Sequence, residues 1–157
     1  VFDPETNENY TPYVVETSIG LDRMFLSVLS ESLEDETLED GSVRTVLRLP
    51  HALAPTQAAI LPLMKKDGLP ELARSIHSDL KFDFQVAFDE KDAIGKRYRR
   101  QDAIGTPLCI TIDHQSLEDG TVTIRDRDSM EQKRVHRSEL QLIIKDIASM
   151  ESLLRKA

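Results

Sequence analysis

Cysteine is nearly absent from this sequence, with Cys109 the single example. That excludes an internal disulfide framework and any zinc site built on paired cysteines. Histidine is scarce too. His51, His77, His114 and His136 stand far apart, with no i, i+4 pair and no cysteine beside them, so no metal site is expected. Long apolar runs are missing: none approaches the ~20 residues that a membrane-spanning helix needs. The opening VFDPETNENY is polar and acidic, unlike a signal peptide, and reads as the interior of a longer chain. There is no phosphate-cradling glycine loop, no GxSxG elbow and no defensible Ser–His–Asp set. What remains is one globular, cytoplasmic domain. Its 157 residues, 39% hydrophobic and 31% charged, are enough for a real core.

Positive charge is the minority sign, at a formal net of -8. The imbalance is local. Residues 1–41 carry eleven acids against one base, Arg23, and the rest carries 17 acids and 19 bases. ESLEDETLEDG, residues 31–41, holds most of the excess acid and is expected to be a solvated linker, since like charges repel and stay open. Against that background GKRYRRQDAIGT, residues 95–106, concentrates four cations: Lys96, Arg97, Arg99 and Arg100.

Three segments follow from the pattern: 1–33, an acidic linker and connecting stretch over 34–54, and a domain over 55–157. PYVVETSIG, residues 12–20, is β-branched and ends in a glycine. Asp22 then caps a helix with Phe25, Leu26, Leu29 and Leu33 at helical spacing. In the domain, residues 57–63 read as a strand, 68–80 as a helix entered at Pro70, and 84–89 as a strand. A helix over 92–103 and a strand over 107–113, holding Cys109 in the core, come next. A hairpin about Gly120 joins TVTIRD to a strand near 130–136. Ser138 and Gln141 predict a capping box for a long final helix. The fold class is therefore α/β: a mixed five-stranded sheet flanked by about three helices, with parallel pairing across the helical crossovers and antiparallel pairing at the hairpin.

On a helix, Lys96, Arg97, Arg99 and Arg100 spread over about 160°, with Ile94 and Tyr98 opposite. The expected picture is a helix that buries Ile94 and Tyr98 and shows a cationic face. Such a face is either a solvated surface or a phosphate-binding one, and arginine's planar fork suits the latter. IRDRDSMEQKR, residues 124–134, alternates in sign. Surface ion pairs are its plain reading, but Arg125 and Arg127 sit at a strand end where recognition residues are often found.

ETSIGLDR, residues 16–23, resembles motif 3 of class II aminoacyl-tRNA synthetases: strand, turn and helix with a closing arginine. Together with LAPTQAAILPL, GKRYRRQDAIGTP and VTIRDRDSMEQKRV, in that order, the chain from about residue 10 to 145 is similar to the C-terminal part of the bacterial-type glycyl-tRNA synthetase family. The resemblance implies that 1–33 is the tail of a catalytic domain and 55–157 a class IIa anticodon-binding domain. It implies ATP contacts for Arg23 and Gly20, with Arg23 holding terminal phosphates, and a glycine pocket lined by Glu16 and Ser18. Thr17 stands where relatives often carry proline.

The same resemblance implies a parent that uses ATP and Mg²⁺, works as a homodimer and loads glycine onto its tRNA. Motifs 1 and 2 are not found, so the chain alone is expected to be inactive and to retain only recognition of the tRNA anticodon loop. The expected recognition surface joins the helix (Lys96, Arg97, Arg99, Arg100, Asp102) to the strand end (Arg125, Asp126, Arg127, Asp128, Glu131). Anticodons for glycine end in two cytosines, whose amino donors call for acceptors such as these carboxylates. The alternative is a non-enzymatic accessory module of the same fold, against which ETSIGLDR argues.

Overall fold

The acidic run is not an open linker. In the computed structural model, which describes residues 1–156, Leu33–Thr37 form a strand (β3) paired antiparallel with Val43–Leu47 (β4). Cations neutralise the acids: Arg44 reaches Glu36 at 2.9 Å, and Arg48 reaches Glu34 at 2.9 Å and Glu36 at 3.2 Å. Opposite charges in reach remove the repulsion that would have kept the segment open.

Ahead of this hairpin the chain is sparsely packed. Phe2–Asp3 (β1) and Glu8–Asn9 (β2) pair briefly. Residues 10–20, expected to include a strand, form neither helix nor strand and are exposed. A strand needs an edge to pair with, and none is offered here. Helix α1, Leu21–Ser32, does form, but Phe25 and Leu26 face solvent and Leu33 is exposed beyond its end.

The main sheet has the expected five strands, in the order β6-β5-β7-β8-β9. These are Ala58–Pro62 (β5), Val86–Phe88 (β6), Leu108–Ile112 (β7), Thr121–Asp126 (β8) and Gln132–His136 (β9). β5 is parallel to both β6 and β7, while β7–β8 and β8–β9 are antiparallel. Every residue of β5 and β7 is buried, which is why both read as unbroken apolar runs.

Alternate residues serve two layers. Ala58, Ile60, Leu108 and Ile110 pack beneath helices α2 (Leu69–Leu80) and α5 (Leu140–Ala148). Ala59, Leu61 and Cys109 face α3 (Ile94–Ala103), meeting Ile94 and Tyr98 as expected. Burial pushes the Cys109 thiol up to about 12, so it stays protonated and inert.

Three local features differ from the sequence reading. A short helix, α4 (His114–Asp119), follows β7; Asp113 and Ser116 cap each other reciprocally at its start and Gly120 closes it at φ 69°. The capping box before α5 uses His136 and Glu139 rather than Ser138 and Gln141. The final helix breaks at Ser149, which turns extended and caps a second helix, α6 (Met150–Lys156). Leu154, expected inward, is exposed as a result.

Candidate nucleic-acid interface

Helix α3 begins where β6 ends and finishes where β7 begins. Its 10 residues span about 15 Å, so its two ends lie at opposite ends of the strands. Lys96 stands in the first turn, near the carboxyl ends of β5 and β6. Asp102 stands in the last turn, near the start of β7. β8 runs back against β7, and Asp126 lies opposite Leu108, so the β8–β9 turn lies at this same end of the strands.

Most of the expected cationic face points inward. Arg97 is 2% exposed. Its guanidinium donates to the carbonyls of Pro62, Leu63 (3.1 Å) and Asp89 (3.3 Å), tying the loop after β5 to the loop after β6. Arg100 clamps the second of these loops, donating to Asp89 at 2.7 Å and Asp92 at 2.9 Å. Arg99 reaches Ser42 and the Val43 carbonyl in the β3–β4 hairpin at 3.3 and 3.4 Å. Lys96 alone of the four is exposed and makes no ion pair among the described residues.

Asp102 is fully buried and serves two arginines. Arg44 donates to one of its oxygens at 2.9 Å, and Arg125 grips both at 2.9 and 3.1 Å. The Arg125 guanidinium also stacks 4.9 Å above the Tyr98 ring. Arg127 is buried as well, donating to the carbonyls of Leu47, Leu49 and Gly105 and to Asp128. Burial removes Arg97, Asp102, Arg125 and Arg127 from the solvent-facing surface expected of them. Asp102, Arg125 and Arg127 find opposite charges inside the protein, whereas Arg97 is held by backbone carbonyls alone and its buried Nε has no partner among the described residues.

The remaining expected residues sit on the β8–β9 turn. Asp126 accepts from the backbone of Asp128 (3.0 Å) and Ser129 (2.8 Å), which closes the turn. Asp128 accepts from Arg127, Arg48 and His51. Burial pushes its carboxyl up, but His51 and Arg127 outweigh this and hold it well below the usual carboxylate range. Met130 takes a left-handed conformation, φ 59°, rare for a side chain of its size. Glu131 is exposed, and no bond among the described residues engages its carboxylate.

This turn forms one wall of a groove of about 580 Å³, within the usual range for ligand sites. The opposite wall is α5. Leu142 and Ile143 supply an apolar surface, and Leu142 is 72% exposed. Glu131, Lys133 and Asp146 bring acceptors and a donor to the rim. Arg134, next to Lys133, points to the other side of the sheet and is locked to Asp113 at 2.7 and 2.8 Å. That bond draws the Asp113 carboxyl down to about 2. The groove thus joins an apolar platform to free polar groups, as reading an unstacked base requires. Lys133, Asp146 and Leu142 were missed by the sequence reading. The alternation in QKRVH does put Lys133 and Val135 on one face, but nothing in the sequence says that α5 lies across from them.

Glu16, Ser18, Gly20 and Arg23 lie on the exposed stretch before and within α1. They are not gathered into a site with the groove.

A five-stranded mixed sheet with an apolar, acceptor-lined groove defines a class. Residues 57–147 match the family described as the anticodon binding domain, more than half of the chain, and the chain belongs to that family. Its relatives by sequence carry a more particular name. It is 55% identical over 142 residues to a glycine–tRNA ligase of Macrococcus caseolyticus (strain JCSC5402), covering 90% of this chain and 30% of the relative. It is 58% identical over 139 residues to one of Bacillus cereus (strain ZK / E33L), covering 88% of this chain and again 30% of the relative. The chain thus spans about three-tenths of these relatives' length. Among solved structures, the RNA binding domain of threonyl-tRNA synthetase from Cryptosporidium parvum Iowa II aligns with a TM-score of 0.58 at 26% identity, over 64% of this chain and 26% of that one. Prolyl-tRNA synthetase from Cryptosporidium parvum aligns at 0.60 and 22%, over 70% and 24%, and shares the fold.

Proposed function

We propose that this chain recognises the anticodon loop of a glycine tRNA, and that the reading of bases belongs to the groove between the β8–β9 turn and α5. The observation that carries this is the pairing of free acceptors with an apolar wall. Cytosine presents an amino donor, which Glu131 and Asp146 can accept, and acceptors, which Lys133 can meet. Leu142 and Ile143 lie where a base face would rest. The groove is too acidic to hold phosphates. Backbone contacts therefore fall to exposed cations outside it, of which Lys96 is one.

In a protein of the relatives' full length, the same reading gives an ATP-dependent attachment of glycine to tRNA, in the cytoplasm and as a homodimer. There Arg23 and Gly20 meet ATP with its Mg²⁺, and Glu16 and Ser18 meet glycine.

The test is binding of a glycine anticodon stem-loop, and of loops with each cytosine changed. Glu131→Ala and Lys133→Ala should cost about 1–3 kcal/mol on the unchanged loop and relax discrimination at one position. Lys96→Ala should weaken every loop alike and flatten the salt dependence. If the two groove variants discriminate as the unaltered chain does, the groove does not read bases.

A further inference from the structure

The β8–β9 turn is held from outside the family segment. We infer that the β3–β4 hairpin, with its run-out to His51, positions this turn for base reading; the inference rests on the recognition reading above. The hairpin precedes residue 57, where the family match begins.

Its contacts converge on one place. Arg44, 1% exposed, divides its guanidinium between Glu36 of its own hairpin, Asp102 of α3 and the Arg127 carbonyl at the end of β8. Arg127 returns the contact, donating to the Leu47 and Leu49 carbonyls at 3.0 and 2.9 Å. Gly105 lets the backbones close up: at φ 82°, a Cβ there would stand 3.1 Å from the Leu47 carbonyl oxygen. Asp128 then receives Arg48 at 3.0 Å and His51 at 2.9 Å. The turn is thus clamped by residues 44–51 on one side, while its other side carries Glu131 and Lys133 into the groove. A binding lip held in place before the ligand arrives loses less freedom on binding, which strengthens the correct contact selectively. Arg44, Arg48 and His51 are therefore positioning residues that need not touch RNA.

Arg48 gives the cleanest test, because it lies at the rim and its loss leaves the buried Asp102 pair intact. The full chain carrying Arg48→Gln should bind the glycine anticodon stem-loop about tenfold more weakly. It should bind cytosine-substituted loops as the unaltered chain does, with unchanged salt dependence. Arg48→Lys should restore part of the loss. Asp128→Asn, which also weakens the His51 and Arg127 contacts, should lose at least as much, and the double variant should lose no more than Asp128→Asn alone, since the Arg48 contact is already gone. An equal loss on all loops, a flatter salt dependence or additive losses would overturn the brace and make Arg48 a direct contact. No loss at all would overturn it too. If the unaltered chain fails to discriminate, the recognition reading falls and this one with it. If it discriminates and Arg48→Gln does so equally, only the brace falls.

Discussion

At the scale of the residue, the arginines of this chain act mainly as internal struts. Asp102 is the clearest case, a fully buried carboxylate between two guanidiniums. Removing one partner of such a set leaves uncompensated buried charge, which costs roughly 3–5 kcal/mol. Asp102→Ala should therefore lower stability by about that amount in urea unfolding, whereas Lys96→Ala should change it by less than about 0.5 kcal/mol. Equal midpoints for the two variants would mean that the network is not stabilising. The types and spacing of the α3 residues were legible in the sequence, as was the burial of Ile94 and Tyr98. Which way the arginines point was not. For Arg97 and Arg100 that depends on the loops after β5 and β6, and for Arg99 on the β3–β4 hairpin; the hairpin was hidden because its acidic strand reads as a repelling linker until Arg44 and Arg48 are brought beside it.

At the scale of the element, the strands and helices of the main sheet follow closely from periodicity and turn signals, and the parallel and antiparallel pairings follow from connection type. The misses have separate causes. α4 was marked by Asp113, Ser116 and Gly120, but it is too short for a hydrophobic period. The strand expected within residues 12–20 has the right composition and no sheet edge to join. Stability should follow this division. Limited proteolysis should cut first within residues 10–20, where the backbone is exposed and unpaired, and only later in 33–37, which the pairing with β4 protects. N-terminal sequencing of the first large product would show it. A first cut inside β3 would return that segment to the status of a linker.

At the scale of the whole molecule, the groove and the first turn of α3 lie at opposite ends of the strands, and the two sequence clusters that suggested one surface meet only at the last turn of α3, where Asp102 holds Arg125. Glu16, Ser18, Gly20 and Arg23 stand apart from both, on an exposed stretch that forms no pocket among the described residues. The purified chain should accordingly show no glycine-dependent ATP–pyrophosphate exchange above background, even where it binds an anticodon stem-loop. Exchange at a measurable rate would mean that residues 1–33 assemble a site on their own.

The shared carboxylate of Asp102 also bears on how such a domain can be moved between proteins. The anticodon binding domain match begins at residue 57, yet the cation that answers Asp102 from the other side is Arg44, and the backbone that Arg127 grips is that of Leu47 and Leu49. A graft cut at residue 57 would leave Asp102 with Arg125 alone and strip Arg127 of two of its carbonyl partners. The unit that can be exchanged intact, by recombination or by design, begins at Leu33, with the hairpin travelling as part of the domain it braces.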